Sequence, residues 1–528
     1  MRNILGYKYS KNAGRVLAAS LIISAGLMSC KKYTELTPKD QLGEGVVFTD
    51  STNVEYALNG VYNSAAIGTY NDGSGRGYPF GAASIEQAEM RGEDMVNLAT
   101  FYEITYKSTI TTTTANNVNM WLNLYAMINQ ANVFIDGAKA AQKSGVISAA
   151  KELQLESEAR FLRALGHHEL LIQFCRPYAD GNGGKPGVPY RDVAINSSSK
   201  MADALKVGRG TVAEAYTKML ADLDFAEQNI GNGQVISKAS KGAVIALKTR
   251  IKLHMGDYAG VITEAAKLGA DKPVPLSPIG GYKLVDSVAT VFTAADKNSE
   301  SIFSIANSTL ANGGTNGALG PMFGPAALSG RGLVSLSANL YNATWWVGDD
   351  LRRFNLTYKS TDKKVYSYKF RDYATRTDWA PIVRYAEVLL NAAEAYARTG
   401  NNGQAFILLN VVRNRSLPAA SLNRFTVAPA DVILAILRER RIEFQGEGRR
   451  WPDIHRLALD ATYGTGGIPA KVDPLDITAT DYQAASGVVL PTKVAAIPYS
   501  DYRFLWPFPS TEVNANPTLK AQQNPGYN

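Results

Sequence analysis

The sequence predicts a mainly α-helical protein, a platform of tetratricopeptide-like helical hairpins forming a single domain with an irregular face of loops and short strands. Three observations predict it. Apolar residues return every three or four positions over long stretches, two segments read as helix-turn-helix hairpins broken at glycine, and the intervening segments lose that period while gaining Gly, Ser and Asn.

Over residues 118–136 the apolar positions Trp121, Leu124, Tyr125, Ile128, Ala131 and Ile135 make one face of a helix. Residues 152–174 repeat the pattern with Leu155, Ala159, Leu162, Leu165 and Ile172, and Glu156 stands one turn before Arg160. Thr211 to Glu214 reads as a capping box, in which hydroxyl and carboxylate satisfy free amides of a first turn. The hairpins are residues 243–266 and 388–412, where Val261 follows Gly256, and Ala405 follows Gly400, at the spacing a close helix-helix turn requires. Stacked hairpins of this kind make a solenoid-like frame. Residues 71–81, 181–189, 272–378 and 461–528 lack a helical period, although 301–306 (SIFSIA) looks strand-like. Long irregular segments in a compact protein usually carry function.

With 528 residues, 45% apolar and 19% charged, the chain can bury a large core, and disorder is excluded. Two cysteines exclude a disulfide scaffold. The net charge of +8 includes Arg2, Lys8, Lys11 and Arg15 at the amino end; without them 51 Lys and Arg face 47 acids, too slight an excess to suggest nucleic acid. Tyr outnumbers Phe by 27 to 17, which suits half-exposed rings at a binding face and equally the rims of helices.

The amino terminus reads as an address. Residues 2–15 are basic and residues 16–28 (VLAASLIISAGLM) are apolar, a run shorter than the roughly 20 residues that cross a bilayer, so the segment is a signal peptide. Leu27-Met28-Ser29-Cys30 then matches a bacterial lipobox, with lipid expected on Cys30. Acylation of Cys30 leaves Cys175 without an intramolecular partner, and membrane attachment rests on lipid alone. The expected organisation is a signal peptide over residues 1–29, a lipidated tether over 30–50 and one domain over 51–528.

Signatures of catalysis are missing. There is no Gly-x-Ser-x-Gly elbow, phosphate loop or strand-linked Gly-x-Gly-x-x-Gly. His167-His168-Glu169 cannot close on one ion, because consecutive helical residues point about 100° apart; the trio reads as the polar rim of a helix. In Arg438-Glu439-Arg440-Arg441-Ile442-Glu443 the signs alternate, and mutual salt bridging accounts for the stretch better than nucleic acid does. No metal and no cofactor are expected.

Several blocks together resemble the SusD/RagB family of outer-membrane nutrient-uptake lipoproteins. They are the lipobox at Cys30; Trp121-x3-Tyr125-x2-Ile128-x2-Ala131-Asn132; Glu158 to Ala164 followed by Gly187-Val188-Pro189; and Arg209 to Glu214 with Asp222-Leu223. Residues 438–456 (RERRIEFQGEGRRWPDIHR) and the carboxyl end from Leu505 complete the set, so the resemblance spans nearly the whole chain after Cys30. It implies a lipid-anchored lid facing the cell exterior on a SusC-like TonB-dependent transporter, which binds a nutrient, commonly a glycan, and passes it on without catalysis. A peptide-binding scaffold and a lipid-anchored glycoside hydrolase remain as alternatives, the latter lacking any conspicuous acid pair.

A sugar site needs exposed rings for the C–H faces and planar polar groups for the hydroxyls, held on loops by a rigid frame. The candidate ligand residues are Asp94, Asn97, Phe101 and Tyr102 on the loop 91–106, together with Trp345 and Trp346. Strand neighbours face opposite ways, which leaves room for one exposed ring of the two; core packing of both is the open alternative. Tyr70, Tyr78 and Trp379 are further candidates. The motif residues Arg160, Arg163, Arg441, Glu443, Glu447, Arg449 and Asp453 are assigned to ion pairs that hold the fold, since charges on packed helices are costly unless paired.

Overall fold

The computed structural model describes residues 44–68, 77–233, 235–478 and 480–527. The signal peptide, Cys30 and Tyr70 lie outside the described residues.

Helices dominate, as the periodicity predicts. They are α1 (Ser51–Ile67), α2 (Ala82–Met90), α3 (Thr100–Tyr106), α4 (Ala115–Lys143), α5 (Ala149–Phe174), α6 (Val212–Asn229), α7 (Lys241–Met255), α8 (Tyr258–Lys267), α9 (Tyr385–Arg398), α10 (Asn402–Arg415), α11 (Val432–Glu443) and α12 (Arg450–Arg456), with shorter helices between. The antiparallel pairs α4–α5, α7–α8 and α9–α10 pack as hairpins, and α5–α6, α6–α7, α8–α9 and α9–α11 join them into one frame. The capping box at Thr211 and Glu214 is formed, with both reciprocal bonds present. Gly256 turns at φ 74° and Gly400 at φ 86°, left-handed values that favour glycine at a helix end. Val261 and Ala405, the positions expected to let helices approach, are fully buried.

The carboxyl end closes the frame. Trp121 of α4 packs against Phe174 of α5 and Phe508, each 4.9 Å between ring centres, and the Asn524 amide donates to the carbonyls of Phe174 and Trp506. None of the helices among the described residues is long and apolar enough to cross a membrane.

The segment 272–378 is short pieces rather than a domain. Strands β1 (Met95–Asn97), β2 (Ser301–Ile305), β3 (Val334–Leu336), β4 (Thr357–Lys359), β5 (Val365–Ser367) and β6 (Ala380–Arg384) form two-stranded antiparallel ribbons, β1 with β3, β2 with β6 and β4 with β5. In the β1–β3 ribbon Met95 pairs with Leu336, and just beyond it the Ser337 amide donates to the Asp94 carbonyl at 2.8 Å. That pairing brings together the two segments that the sequence singles out for binding.

Charged side chains cross-link the helices. Arg160 reaches Glu156 and Asp222, and Arg163 clasps Asp222 at 2.6 Å, tying α5 to α6. Glu443 accepts from Arg352 at 2.9 Å, Arg384 at 2.9 Å and Arg415 at 2.5 Å; Glu447 binds Lys369 and Arg384; Asp453 binds Arg440 and Arg456. Two expectations need correction. Arg449 donates to the Ile382 carbonyl at 3.0 Å but has no carboxylate within 4.0 Å among the described residues; burial and the nearby Arg250 guanidinium pull it down to about 10. Of the charges in residues 438–443, Arg440 pairs with the following Asp453 as mutual bridging predicts, but Glu439 and Glu443 pair with Arg352 and Arg441 with Asp94, on other elements.

His167 and His168 are not a polar rim but core residues, 0% and 1% exposed. The length of α5 puts both beneath neighbouring elements: His167 stacks on Tyr190 at 3.8 Å between ring centres, its Nδ1 bonded to the Arg163 carbonyl and its Nε2 accepting from the Arg191 amide. His168 meets His254 of α7 edge-on at 4.8 Å.

Candidate functional site

Of the two adjacent tryptophans one faces the interior and the other does not. They occupy a turn rather than a strand, between the short helices Ala338–Tyr341 and Leu351–Asn355. Trp346 is fully buried: its amide donates to the Ala343 carbonyl, Tyr341 meets its ring edge-on at 5.8 Å, and the Arg353 guanidinium lies over it at 4.3 Å. A ring so enclosed cannot stack on a sugar. Arg353 also donates to the carbonyls of Trp346 and Val347, which fixes the backbone of the turn and with it the direction of Trp345.

Trp345 is partly buried and forms a wall shared by two grooves. The first, about 320 Å³, is lined also by Glu93, Asn339, Arg441, Lys471 and the exposed Val488 and Val489. The second, about 520 Å³, runs on the side of α10 and α11 and includes Arg413, Phe425 and Arg438. Arg441 lies 5.3 Å and Arg438 5.9 Å from the Trp345 ring, within reach of its π-face. A ring bordered by guanidiniums, with an apolar patch beside it, combines the two features that saccharide binding requires.

The loop 91–106 contributes differently from the expectation. Asp94 is 1% exposed and its carboxylate is taken up by Arg441, whose Nε lies 3.0 Å from Oδ2, so its part is to hold that guanidinium beside Trp345. Glu93, not chosen from the sequence for binding, reaches the groove and bonds Arg450 at 2.6 Å and Arg441 at 3.0 Å. Burial favours its protonated form, but the two guanidiniums prevail and hold it at about 2. Asn97 is 4% exposed within β1, and Tyr102 is wholly buried beside Glu86, because the face of α3 that carries Tyr102 packs inward. Neither can contact a ligand in this conformation. Phe101 is half-buried and meets Tyr102 edge-on at 4.7 Å. Tyr78 is 1% exposed, its hydroxyl accepting from Gln87, and Trp379 is partly buried with its indole N–H on the Asn307 carbonyl at 3.1 Å.

Sequence reasoning passes over Asn339, Lys471 and the 487–492 strip. Asn339 exchanges two hydrogen bonds with the Leu490 backbone, and so fastens the strip that carries Val488 and Val489 to the groove wall. Lys471, 1% exposed, donates to the carbonyls of Met90 and Tyr106, and burial pulls it down to about 7. No local signal marks these residues, since their partners come from remote parts of the chain. Among the described residues there is no group of three or more His, Cys, Asp or Glu side chains placed to hold a metal.

A helical frame with an irregular, grooved face defines the class of fold, and comparison with known proteins finds its relatives. Residues 348–527 match the model described as the SusD family, and residues 48–253 match one described as starch-binding associating with outer membrane. A SusD superfamily protein from Bacteroides fragilis is similar in structure, with a TM-score of 0.72, 26% identity and coverage of 90% of this chain and 99% of its own. Surface glycan-binding protein A from Bacteroides uniformis shares the fold at a TM-score of 0.66, with 19% identity over 90% of this chain and 99% of its own. SusD-like protein P2 of Formosa agariphila is 24% identical over 414 residues, 66% of this chain and 73% of its own length. The chain is thus SusD-like over both matched stretches, and the description of one of the two models carries starch binding and association with the outer membrane.

Proposed function

We propose that this protein captures an oligosaccharide at the outer face of the outer membrane, where lipid on Cys30 anchors it, and delivers the sugar to a SusC-like TonB-dependent transporter. Likeness to the SusD family supports the setting, since one matching model is described as starch-binding and a protein of the same fold as a surface glycan-binding protein. One observation carries the site: Trp345 forms a wall common to two grooves and is flanked by Arg438 and Arg441. A pyranose laid on the indole buries its C–H face, while its hydroxyls can accept from Arg441, already held in place by Asp94 and Glu93, and from Arg438, which has no ion pair among the described residues.

The reading assigns no bond cleavage. The acid on the wall of the first groove, Glu93, is held ionised by Arg450 and Arg441, so it cannot give the leaving oxygen a proton as glycoside hydrolysis demands.

Calorimetric titration of the purified protein with oligosaccharides tests the proposal. Trp345→Ala is expected to weaken binding by about tenfold or more, equal to roughly 1.4 kcal/mol, while Trp346→Phe retains it. Equal affinity in Trp345→Ala and the unaltered protein removes this ring from the site. Binding of peptides with no binding of saccharides overturns the function.

A further inference from the structure

The second groove carries more charged side chains than the first. Its wall holds three arginines, Arg413, Arg424 and Arg438, and two acids, Asp431 and Glu439. Both acids are already engaged. Asp431 caps α11, accepting from the Leu434 amide at 2.8 Å and the Tyr463 hydroxyl at 3.1 Å. Glu439 is 1% exposed and divides its charge between Arg352 at 2.6 Å and Arg413 at 3.3 Å.

The other two arginines keep their charge unanswered. Arg424 gives its hydrogen bonds to the carbonyls of Pro418, Asn414 and Leu417, which orient the guanidinium but do not neutralise it. Arg438 is partly exposed, lies over the edge of the Trp345 site, and has neither an ion pair nor a hydrogen bond among the described residues. Within the helical frame Arg352, Arg384, Arg440 and Arg456 are matched with carboxylates, whereas Arg91, Arg209 and Arg353 are, like Arg424, held by carbonyls; what sets Arg424 and Arg438 apart is that both line an open groove. A groove of about 520 Å³ is bounded by an aromatic ring and two guanidiniums without an ion pair among the described residues, and its one acid without an ion pair, Asp431, is occupied as the cap of α11, so the groove has room and charge for an anion with a carbon skeleton.

Resting on the reading of the Trp345 site as a saccharide site, we propose that the second groove selects an acidic glycan, one whose sugar rests on Trp345 while its carboxylate or sulfate pairs with Arg438 and Arg424. The guanidinium fork matches both groups, a uronate carboxylate and a sulfate ester, and the two sources share this recognition. An acidic peptide would satisfy the charge but would make poor use of a flat indole face, which favours the sugar.

Three sets of probes separate these cases: neutral laminari-, cello- and galacto-oligosaccharides; uronate-bearing oligogalacturonate and oligoalginate; and sulfated carrageenan oligosaccharides, with hexaglutamate as the acidic peptide. Each is titrated against the purified protein at low and high salt. The expected result is at least one acidic oligosaccharide binding about tenfold more tightly than every neutral one, with the preference falling as salt rises. Uronates and sulfated sugars identify the source according to which shows it. Arg438→Gln is expected to abolish the preference without changing the melting temperature, and Arg438→Lys to restore part of it.

Trp345-dependent binding of neutral sugars with no preference for acidic ones overturns this inference and leaves saccharide capture standing. No binding of any saccharide overturns both. Hexaglutamate bound through Arg438 in place of any sugar overturns the choice of ligand, and an acidic preference that survives Arg438→Gln overturns the placement of the site.

Discussion

Helix α11 sends Glu439, Arg440 and Glu443 into the interior and Arg438 toward the groove, and the two regions treat charge in opposite ways. Inside, Glu443 alone meets three guanidiniums, and Arg384 in turn bridges Glu300, Glu443 and Glu447. Such a cluster is stable only when nearly every lone pair and proton finds a partner, because each ion has been taken out of water. In the groove Arg438 is left partly in water beside the Trp345 ring with no carboxylate partner among the described residues, so little desolvation has been incurred and its charge remains available to a ligand. The contrast teaches that the ionic residues of this motif divide by the direction they face rather than by their place in the sequence pattern.

The contrast breaks most visibly at Glu443. Replacing it with Ala takes one carboxylate from each of Arg352, Arg384 and Arg415 and leaves them to share Asp350, Glu439, Glu300 and Glu447, and removal of one member of a buried ion cluster typically costs about 3–5 kcal/mol. Glu443→Ala is therefore expected to lower unfolding stability by that amount in denaturant titration, whereas Arg438→Gln lowers it by less than about 0.5 kcal/mol. Comparable losses in the two variants would show that both faces of α11 are structural.

The frame is legible in the sequence because a helix repeats locally. Trp121, Leu124 and Ile128 announce α4, and Thr211 with Glu214 announces the start of α6. The division of Trp345 from Trp346 is half legible: adjacent side chains diverge, but which ring turns outward depends on Arg353 gripping the turn. Ion pairs are the least legible. Arg441 and Asp94 stand 347 positions apart, so nothing nearby says that Asp94 is consumed in holding Arg441. Read locally, Asp94, Asn97 and Tyr102 look like a binding loop; the β1–β3 ribbon and the packing of α3 turn them inward. The same remoteness conceals Asn339 and Lys471.

A buried acid with no guanidinium clasping it sharpens the comparison through pH. Glu86 is fully buried without an ion pair among the described residues, and desolvation, only partly offset by the Tyr102 hydroxyl and Arg331, pushes it up to about 8. Its folded value lies above its unfolded value, so the stability it contributes is complete below about pH 4.5 and is lost as pH rises through about 8. Glu387, clasped by Arg250, behaves in reverse: burial opposes ionisation, but the guanidinium holds it at about 2, and its contribution is complete above about pH 4.5 and lost as pH falls toward 2. Glu86→Gln has no such proton to release. Thermal melts from pH 5 to 8 are expected to show the variant gaining on the unaltered protein with rising pH, with a limiting slope of about 1.4 kcal/mol per pH unit. Parallel melting curves would mean that Glu86 is ionised in the folded state.

Arg449 supplies the smallest effect and the finest distinction. It is a motif arginine inside the frame, yet its hydrogen bond goes to the Ile382 carbonyl rather than to a carboxylate, and Arg250 lies close enough to repel it. A half-buried cation with no carboxylate within 4.0 Å among the described residues has incurred much of its desolvation without an ion pair to offset it, so an apolar side chain of similar length should serve nearly as well. Arg449→Met is expected to change stability by no more than about 1 kcal/mol and to leave saccharide affinity unaltered, against the several kcal/mol expected for Glu443→Ala. A large loss of stability would place Arg449 within the ion cluster despite its geometry, and a selective loss of sugar binding would extend the site to the inner end of α12.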